Sequence, residues 1–362
     1  MSHTSTDAPL HLHLADLVSD GLPELNAQYG AVLNDAQRHA LRAIVGCRTG
    51  AFGERVLHCP DCNQHLHSPR SCGHRSCPTC QQHAVSAWLA RQQAKLLPVG
   101  YFMVTFTMPE GLRPIALRHQ RLVYDALFAA AADTLKCFGA NHRQLHADLG
   151  FCAVLHTHNR RLDYHPHLHV VVPGGGIDAA RKQWRKLSGR YLFNGRQLGT
   201  VFRAKLLDAL RRAGITLPTG LPKQWIVHCT RVGHGLPALQ YLSRYLYRGV
   251  IQEKHLVAYD RAARTVTFRY QDAKTKQSAY RTMGLIEFLW QILRHVLPTG
   301  FRRVRDYGFL HANAKRLLTL LQIVLRVIIP PTSLRAARPF TCPLCHAPMV
   351  VRAFIAPSVR VT

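Results

Sequence analysis

Acidic residues are scarce in this sequence of 362 residues. Aspartate and glutamate number 19 against 47 lysines and arginines, which gives a formal net charge of +28. An excess of cations on this scale favours a polyanionic partner, most simply a nucleic acid. A membrane surface is the alternative partner for any strongly basic protein.

Long apolar runs are also missing. No run reaches the ~18 uncharged apolar residues that a membrane-spanning helix needs. The best candidate, residues 317–329, is interrupted by Gln322 and Arg326. Residues 1–7 lack the basic start and the apolar core of a signal peptide. We therefore expect no membrane partner, and a cytoplasmic, nucleoid-associated protein.

Cysteine is plentiful and clustered, which in a reducing compartment indicates metal ligands rather than disulfides. Two Cys-x2-Cys pairs, Cys59 with Cys62 and Cys77 with Cys80, are separated by fourteen residues. This is the spacing of a tetrahedral zinc ribbon, so we predict one zinc site formed by the two pairs. Cys72, inside the interval with a nearby histidine, is an alternative ligand.

A further Cys-x2-Cys pair lies near the C-terminus, in Cys342-Pro-Leu-Cys345-His346. One such pair supplies only half of a tetrahedral site. Two interpretations stay open: the pair binds a metal together with a distant histidine or cysteine, or it has no metal-binding role.

The hydrophobic fraction of 47% predicts a folded protein rather than a disordered basic chain. We expect a zinc-binding domain over residues 1–98 that contacts DNA through the basic residues around its cysteines, a central domain over 99–310 and a helical extension with the lone cysteine pair over 311–362. The predicted strands are 101–108, 151–156, 167–172, 224–230, 256–259, 265–270 and 279–282. The predicted helices are 34–45, 83–97, 117–138, 201–212, 236–248, 284–297 and 313–328. This order predicts an α+β fold with helices on an antiparallel sheet, plus a small N-terminal zinc ribbon.

His-x-His occurs five times among 23 histidines, so the pattern alone proves little. The position of His167 and His169 in a predicted strand favours this pair. Residues two apart in a strand point to the same face, and His156 ends the preceding strand across a hairpin. Three imidazoles with open positions suit a divalent ion that also binds a substrate oxygen. His158 and His165 are alternative ligands, and a pair of surface histidines is the other interpretation.

The predicted helix at 236–248 carries two tyrosines on one face. At about 100° per residue, Tyr241 and Tyr245 lie roughly 40° apart. Arg244 and Arg248 flank them. Attack on a phosphodiester needs this combination, because tyrosine supplies the nucleophile while arginine binds phosphate. The alternative is that both tyrosines are half-buried packing residues.

Residues 181–223 contain eleven lysines and arginines but a single acid, with aromatic residues interleaved. Cations that follow phosphates and rings that stack on bases suit single-stranded nucleic acid. A second basic stretch begins at residue 301, and a solvated charged face is the alternative for both. Besides Arg244 and Arg248, the predicted DNA-binding residues are Arg181, Lys182, Trp184, Arg185, Lys186, Arg302, Arg303 and Arg305.

The order of these motifs resembles the HUH transposases of the IS91 group. The matching segments are the cysteine ribbon, Leu155-His156-Thr157, His165-Pro-His-Leu-His169 leading into Pro-Gly-Gly-Gly, Tyr241-Leu-Ser-Arg-Tyr245, and residues 304–310. The resemblance covers roughly residues 59–315. It implies a ferredoxin-like HUH nuclease domain and a rolling-circle transposase that nicks one DNA strand through a tyrosine. By the same resemblance His167 and His169 are the motif histidines, His156 is the third ligand, and Tyr241 and Tyr245 are the catalytic tyrosines.

We therefore expect a metal-dependent strand transferase in which Tyr241 or Tyr245 attacks DNA and forms a 5′-phosphotyrosine link. The expected cofactors are structural zinc in the ribbon and Mg²⁺ or Mn²⁺ at the histidines. The expected partner is DNA, single-stranded at the reacting site. No nucleotide cofactor is expected because the phosphotyrosine conserves the bond energy, and the absence of a P-loop is consistent with this. Two alternatives remain: a plasmid replication initiator or relaxase with the same chemistry, and a non-catalytic zinc-ribbon regulator.

Overall fold

The computed structural model describes residues 12–80, 89–238, 240, 250–328 and 339–357. The predicted helices at 83–97 and 236–248 therefore lie partly outside the described residues. Four predicted site residues also lie outside them, namely Tyr241, Tyr245, Arg244 and Arg248.

Within the described residues, antiparallel strands and helices follow one another along the chain. The strands are β1 (Glu54–His58), β2 (His65–Pro69), β3 (Gly100–Thr107), β4 (Phe151–His158), β5 (Tyr164–Pro173), β6 (Gly175–Asp178), β7 (Gln183–Lys186), β8 (Val227–His234), β9 (Leu256–Asp260), β10 (Thr265–Gln271), β11 (Ser278–Gly284), β12 (Val304–Tyr307), β13 (Phe340–Thr341) and β14 (Pro348–Ile355). The helices are α1 (Leu14–Tyr29), α2 (Asp35–Val45), α3 (Arg113–Arg118), α4 (Gln120–Ala140), α5 (Gly195–Arg212), α6 (Leu285–Leu293) and α7 (Lys315–Val324). The predicted α+β class with antiparallel sheets is confirmed.

The central sheet has the strand order β12-β4-β5-β3-β8, so β5 lies in its middle. Side chains alternate between the two faces of a strand. Leu168 and Val170 of β5 enter a core that α4 and α5 cover. His167 and His169 consequently point to the opposite face of the sheet. The far end of that face is covered by α7 and residues 96–99, and the histidine end of the face borders a cleft.

Three of the differences from the sequence-based expectation have a visible structural cause. The predicted helix at 117–138 is divided into α3 and α4 at His119, whose φ of −123° and ψ of 49° are not helical. The helix α5 begins six residues early because the Asn194 side chain accepts hydrogen bonds from two backbone N–H groups of its first turn. The glycines after β5 start β6 rather than a loop. A Cβ on Gly175 would lie 2.2 Å from the Trp184 ring, so only glycine fits there.

A second core joins the N-terminal helices to a later part of the chain. Helices α1, α2 and α6 pack on the sheet with the order β11-β10-β9. Asn34 and Gln37 form a capping box that starts α2. The buried Gln37 amide also donates to the carbonyl of Leu293, at 3.0 Å. The first two helices are thus fixed to residues 256–293 rather than packed on their own.

A third sheet combines a hairpin of the N-terminal part of the chain with a hairpin of the C-terminal part, in the order β13-β14-β1-β2. It contains only a small buried cluster around Leu57 and Met349. No helix in the described ranges combines the length and apolarity that crossing a bilayer needs.

His295, just after α6, connects the second core to the β4–β5 hairpin. Its Nε2–H donates to the carbonyl of Leu162, at 3.0 Å, in the turn of that hairpin. Burial lowers the pKa of His295 to about 4. The imidazole is therefore neutral in the folded protein at neutral pH.

We expect this burial to make stability depend on pH. In the unfolded chain His295 is exposed and binds a proton below its ordinary pKa of about 6.5. In the folded protein the same imidazole binds a proton only below about pH 4. The free energy of unfolding therefore falls as the pH decreases through this interval. The variant His295→Gln keeps a donor for the carbonyl of Leu162 but does not titrate. As the pH falls from about 6.5 to about 4, its free energy of unfolding should decrease by up to about 3 kcal/mol less than that of the wild type. Urea unfolding at several pH values measures the difference. His228→Gln, at an exposed position, is the control, and equal pH slopes for wild type and His295→Gln would contradict the assignment.

Candidate active site

Three histidines of the central sheet converge on its open face. His156 of β4 lies directly opposite His167 of β5 in the strand register. His169 follows two residues later and so points the same way. The ring centroids are 4.7 to 5.3 Å apart. One nitrogen of each ring lies within 4.8 Å of the others. We call these three residues the histidine cluster.

Hydrogen bonds orient the rings of this cluster. The Nδ1 of His167 donates to the carbonyl of His165, at 2.7 Å. Its Nε2 lone pair is therefore left facing His169, whose Nε2 is 3.2 Å away. The Nδ1 of His169 is 3.0 Å from the hydroxyl of Thr105, the residue opposite it on β3. Partners of this kind fix the tautomer and the ring direction of metal-binding histidines.

The cluster is kept neutral by its surroundings. Burial lowers the pKa of His167 to about 3 and that of His169 to about 4, with further lowering by the positive charge of Arg303. Burial and the neighbouring His169 hold the pKa of His156 well below its ordinary value. Only neutral imidazole binds a metal ion. Three nitrogen lone pairs are thus available to an ion at neutral pH.

The histidine cluster lies in a cleft of about 820 Å³, which we call the active-site cleft. Among the described residues, four cationic side chains line it, namely Arg160, Arg161, Arg269 and Lys276, against the single acid Asp272. The first two belong to the β4–β5 turn and the others to β10 and the turn after it. These cations are dispersed in the sequence, so no basic run marked them, and only the fold brings them together.

The segment that contains Tyr241 and Tyr245, which we call the tyrosine segment, is adjacent in the sequence to residues that line this cleft. Val250, Ile251 and Gln252 line the cleft and directly follow residues 241–249. The two tyrosines themselves are outside the described residues.

The predicted DNA-binding residues of β6 and β7 divide into two groups. Arg181 and Arg185 both pair with the buried carboxylate of Asp178, at 3.1 and 3.2 Å, and so hold the β6–β7 hairpin together. Lys182 and Lys186 are exposed. Trp184, between them, packs against Phe309 with ring centroids 5.7 Å apart.

The basic residues near β12 also differ from one another. Arg305 pairs with Asp125 and stacks over the Phe128 ring, 4.1 Å from its centroid. Arg303 donates from Nε to the carbonyl of Leu155, at 2.9 Å, beside the histidine cluster. Arg302 is exposed.

The structure divides the predicted zinc ligands between two groups, which corrects the single site proposed from spacing. The N-terminal cysteine group consists of Cys47, Cys72, Cys77 and Cys80. The inter-terminal cysteine group consists of Cys59, Cys62, Cys342 and Cys345. The fourteen-residue interval contains strand β2, which leads from the tip of the β1–β2 hairpin to its base. The thiols of each Cys-x2-Cys pair lie within ligand distance of other cysteines, so in this structure the two pairs belong to different groups.

The sulfur atoms of the N-terminal cysteine group lie as close together as the ligands of one metal ion. The Sγ of Cys80 is 3.6 Å from that of Cys72 and 3.7 Å from that of Cys47. A hydrogen bond from the thiol of Cys72 lowers the pKa of Cys77 to about 5. The sequence gives no signal for Cys47, which stands outside any Cys-x2-Cys pair, and its spacing offers Cys72 only as an alternative ligand.

Metal binding by the histidine cluster can be tested with a matched pair of variants. His167→Ala combined with His169→Ala removes two of three ligands, so we expect Mn²⁺ affinity at this site to fall at least about 100-fold. His65→Ala combined with His67→Ala removes the same pattern from the exposed strand β2 and should leave affinity unchanged. Isothermal titration calorimetry measures both. Equal losses in the two variants would contradict the assignment.

Thr105→Val tests the orienting hydrogen bond to His169. Valine keeps the shape of threonine and removes only the hydroxyl. We expect the Mn²⁺ affinity to fall about 10- to 100-fold because the ring loses its fixed direction. Thermal unfolding should stay unchanged, and an unaltered affinity would show that the hydroxyl has no orienting role.

Comparison with known proteins places this chain among transposases. A putative-transposase family model matches residues 150–317, and a transposase zinc-binding domain model matches residues 17–108. The chain is 35% identical over 353 residues to putative transposase y4qJ of Sinorhizobium fredii, covering 87% of this chain and 88% of that protein. It is 29% identical over 356 residues to the transposase for insertion sequence element IS801 of Pseudomonas savastanoi pv. phaseolicola, covering 89% and 85%. Among solved structures, conjugative relaxase TrwC complexed with a 27-mer DNA is 16% identical, with a TM-score of 0.27, over 63% of this chain and 75% of that one. The chain belongs to the IS91 family of transposases.

Proposed function

We propose that the protein cleaves and rejoins single DNA strands through a covalent 5′-phosphotyrosine intermediate during rolling-circle transposition. The observation that carries this proposal is the position of three neutral imidazoles in a basic cleft, next in the chain to the tyrosine segment. Family membership favours a transposase over a replication initiator or relaxase with the same chemistry.

The histidine cluster fits a divalent ion. Its nitrogen atoms are close enough to share one ion, and three ligands leave coordination positions for substrate oxygens. Imidazole ligands suit Mn²⁺ better than Mg²⁺, which prefers oxygen ligands. A bound ion would polarise the scissile phosphate and stabilise the charge that develops on it.

The residues of the cleft suit a single strand of DNA. Arg160, Arg161, Arg269 and Lys276 provide positive charge along its walls, which favours a phosphate backbone. Tyr270 also lines the cleft, and an aromatic face among cations can stack on an unpaired base. We expect these residues to hold the strand while the reacting phosphate lies at the histidines.

A tyrosine oxygen supplies the nucleophile. When Tyr241 or Tyr245 attacks, an O–P bond forms and the bond from phosphorus to the 3′-oxygen breaks. The phenol loses its proton, and the departing oxygen gains one to become a 3′-hydroxyl. Attack of a 3′-hydroxyl on the phosphotyrosine reverses the step, so no nucleotide hydrolysis is required.

Chain connectivity supports the placement of the nucleophile. Tyr245 precedes Val250, a cleft-lining residue, by five residues. Five residues span at most about 18 Å even when fully extended. Tyr245 is therefore restricted to the neighbourhood of the cleft, and Tyr241 is one helical turn earlier if the predicted helix forms.

The N-terminal cysteine group is proposed to bind the structural zinc ion of this family. Its members lie within residues 17–108, the range of the zinc-binding domain match. Four thiolates without an open position are typical of a structural rather than a catalytic zinc site. The division of the chain at residues 98 and 310 remains a prediction.

Covalent capture of DNA tests the mechanism. The full-length protein is incubated with Mn²⁺ and a single strand that carries the element end and is labelled at either its 5′ or its 3′ end. A 5′-phosphotyrosine joins the protein to the downstream fragment, so a denaturation-resistant adduct should carry the 3′ label only. Tyr241→Phe combined with Tyr245→Phe should abolish this adduct. Tyr247→Phe, on another face of the predicted helix, should form it normally. An adduct that persists in the double variant refutes the tyrosine assignment, and its absence from the unmodified protein favours a non-catalytic regulator.

A further inference from the structure

The inter-terminal cysteine group joins two hairpins from opposite ends of the chain. Cys59 and Cys62 lie in the turn between β1 and β2, and Cys342 and Cys345 lie in the turn between β13 and β14. The strands β1 and β14 pair antiparallel along the whole of β1. The two cysteine turns are thereby brought to the same end of one four-stranded sheet.

The two turns share one backbone conformation. In the first, the N–H of Cys59 donates to the carbonyl of Gln64, at 2.8 Å, and the N–H of Asn63 donates to the carbonyl of Cys59, at 3.0 Å. The corresponding bonds around Cys342 also measure 2.8 and 3.0 Å. The residue after the second cysteine is left-handed in both turns, with φ of 58° at Asn63 and 60° at His346. Such a turn folds back so that both of its thiols face the same point.

The sulfur atoms are arranged as around a single ion. Cys59 Sγ is 3.4 Å from Cys345 Sγ, and Cys62 Sγ is 3.5 Å from the sulfurs of both Cys342 and Cys345. Four thiolates at about 2.3 Å from a tetrahedral zinc ion lie about 3.8 Å apart. A disulfide would instead bring each sulfur to about 2.05 Å from one partner. Because Cys62 is equally close to two partners, the geometry matches a metal site rather than two disulfides.

Apolar packing is too small to hold this sheet together. Its buried side chains are those of Leu57, Cys59, Cys342 and Met349, so half of this core consists of cysteine. Phe354, the largest apolar side chain of β14, is 66% exposed. Units with so little buried apolar surface usually need a disulfide or a metal ion to be stable.

We propose that Cys59, Cys62, Cys342 and Cys345 bind a second zinc ion, which fastens the C-terminal hairpin to the N-terminal hairpin. The ligand set of four thiolates selects zinc over a hard cation. Cys62 and Cys342 are 280 residues apart, so the ion closes most of the chain, including the active-site cleft, into a loop. Closure of a long loop by a metal removes much of the freedom of the unfolded chain.

Zinc counting with combined substitutions tests the site. The histidine cluster is first disabled by His167→Ala and His169→Ala, so that every remaining ion is bound by thiolates. The full-length protein is then equilibrated with a competing chelator, and zinc per chain is measured by mass spectrometry of the metal. Cys62→Ser and Cys345→Ser are the informative changes because both side chains are exposed and outside the small core.

The proposal predicts two zinc ions in this background and one after either Cys62→Ser or Cys345→Ser. Combining the two substitutions should still leave one, because they remove the same ion. Combining Cys345→Ser with Cys72→Ser should leave none. Cys137→Ser, an exposed cysteine of α4 outside both groups, should leave two. Retention of two ions by Cys345→Ser, or the loss of two ions in the Cys62→Ser and Cys345→Ser combination, would overturn the proposal.

Amide hydrogen exchange tests whether the ion holds the two hairpins together. Cys345→Ser should increase amide exchange in β1 and β14 together, while exchange in β10 and β11 stays unchanged. Increased exchange in β14 alone would overturn the link between the two hairpins. Thiol titration in denaturant without reductant distinguishes the disulfide alternative, because a metal site leaves all eleven cysteines reactive after chelation. A count of seven would overturn metal binding.

Discussion

The alternation of side chains along β5 is the constraint on which both the central core and the histidine cluster depend. Leu168 and Val170 enter the core beneath α4 and α5, while His167 and His169 emerge on the opposite face. A shift of the strand by one residue would place both imidazoles in the apolar core. The ladder that holds β5 between β4 and β3 therefore fixes the ligand geometry. The same burial keeps the rings neutral, so fold stability and metal affinity share one cause.

This origin explains how much could be predicted from the sequence. The histidine cluster depends on local features, a strand period of two residues and one short hairpin, and His156, His167 and His169 lie together as expected. The zinc ligands depend on which elements meet in space. Spacing could not show that a strand separates Cys62 from Cys77, or that β1 pairs with β14. The cations of the cleft were missed for the same reason, because they come from two separate hairpins.

The basic residues that give the net charge of +28 likewise differ in their roles. Arg181 and Arg185 are fixed on the carboxylate of Asp178, and Arg305 is fixed on Asp125. These guanidiniums stabilise hairpins and sheet edges, and their charge is partly neutralised by their partners. A count of lysines and arginines along the sequence treats them as equal to the cations of the cleft. Only the contacts separate the charges that hold the fold from those that remain available to DNA.

The N-terminal cysteines have a structural role besides the DNA contact that their basic segment predicts. Cys77 is buried in the core that also contains Ile251, Val266 and Phe268. Ile251 lines the active-site cleft, and the neighbour of Phe268 in β10, Arg269, does so as well. An ion bound by the N-terminal cysteine group would therefore stabilise a wall of the cleft through a shared hydrophobic core. Loss of that ion would disturb the cleft even if no residue of the zinc-binding segment touches DNA.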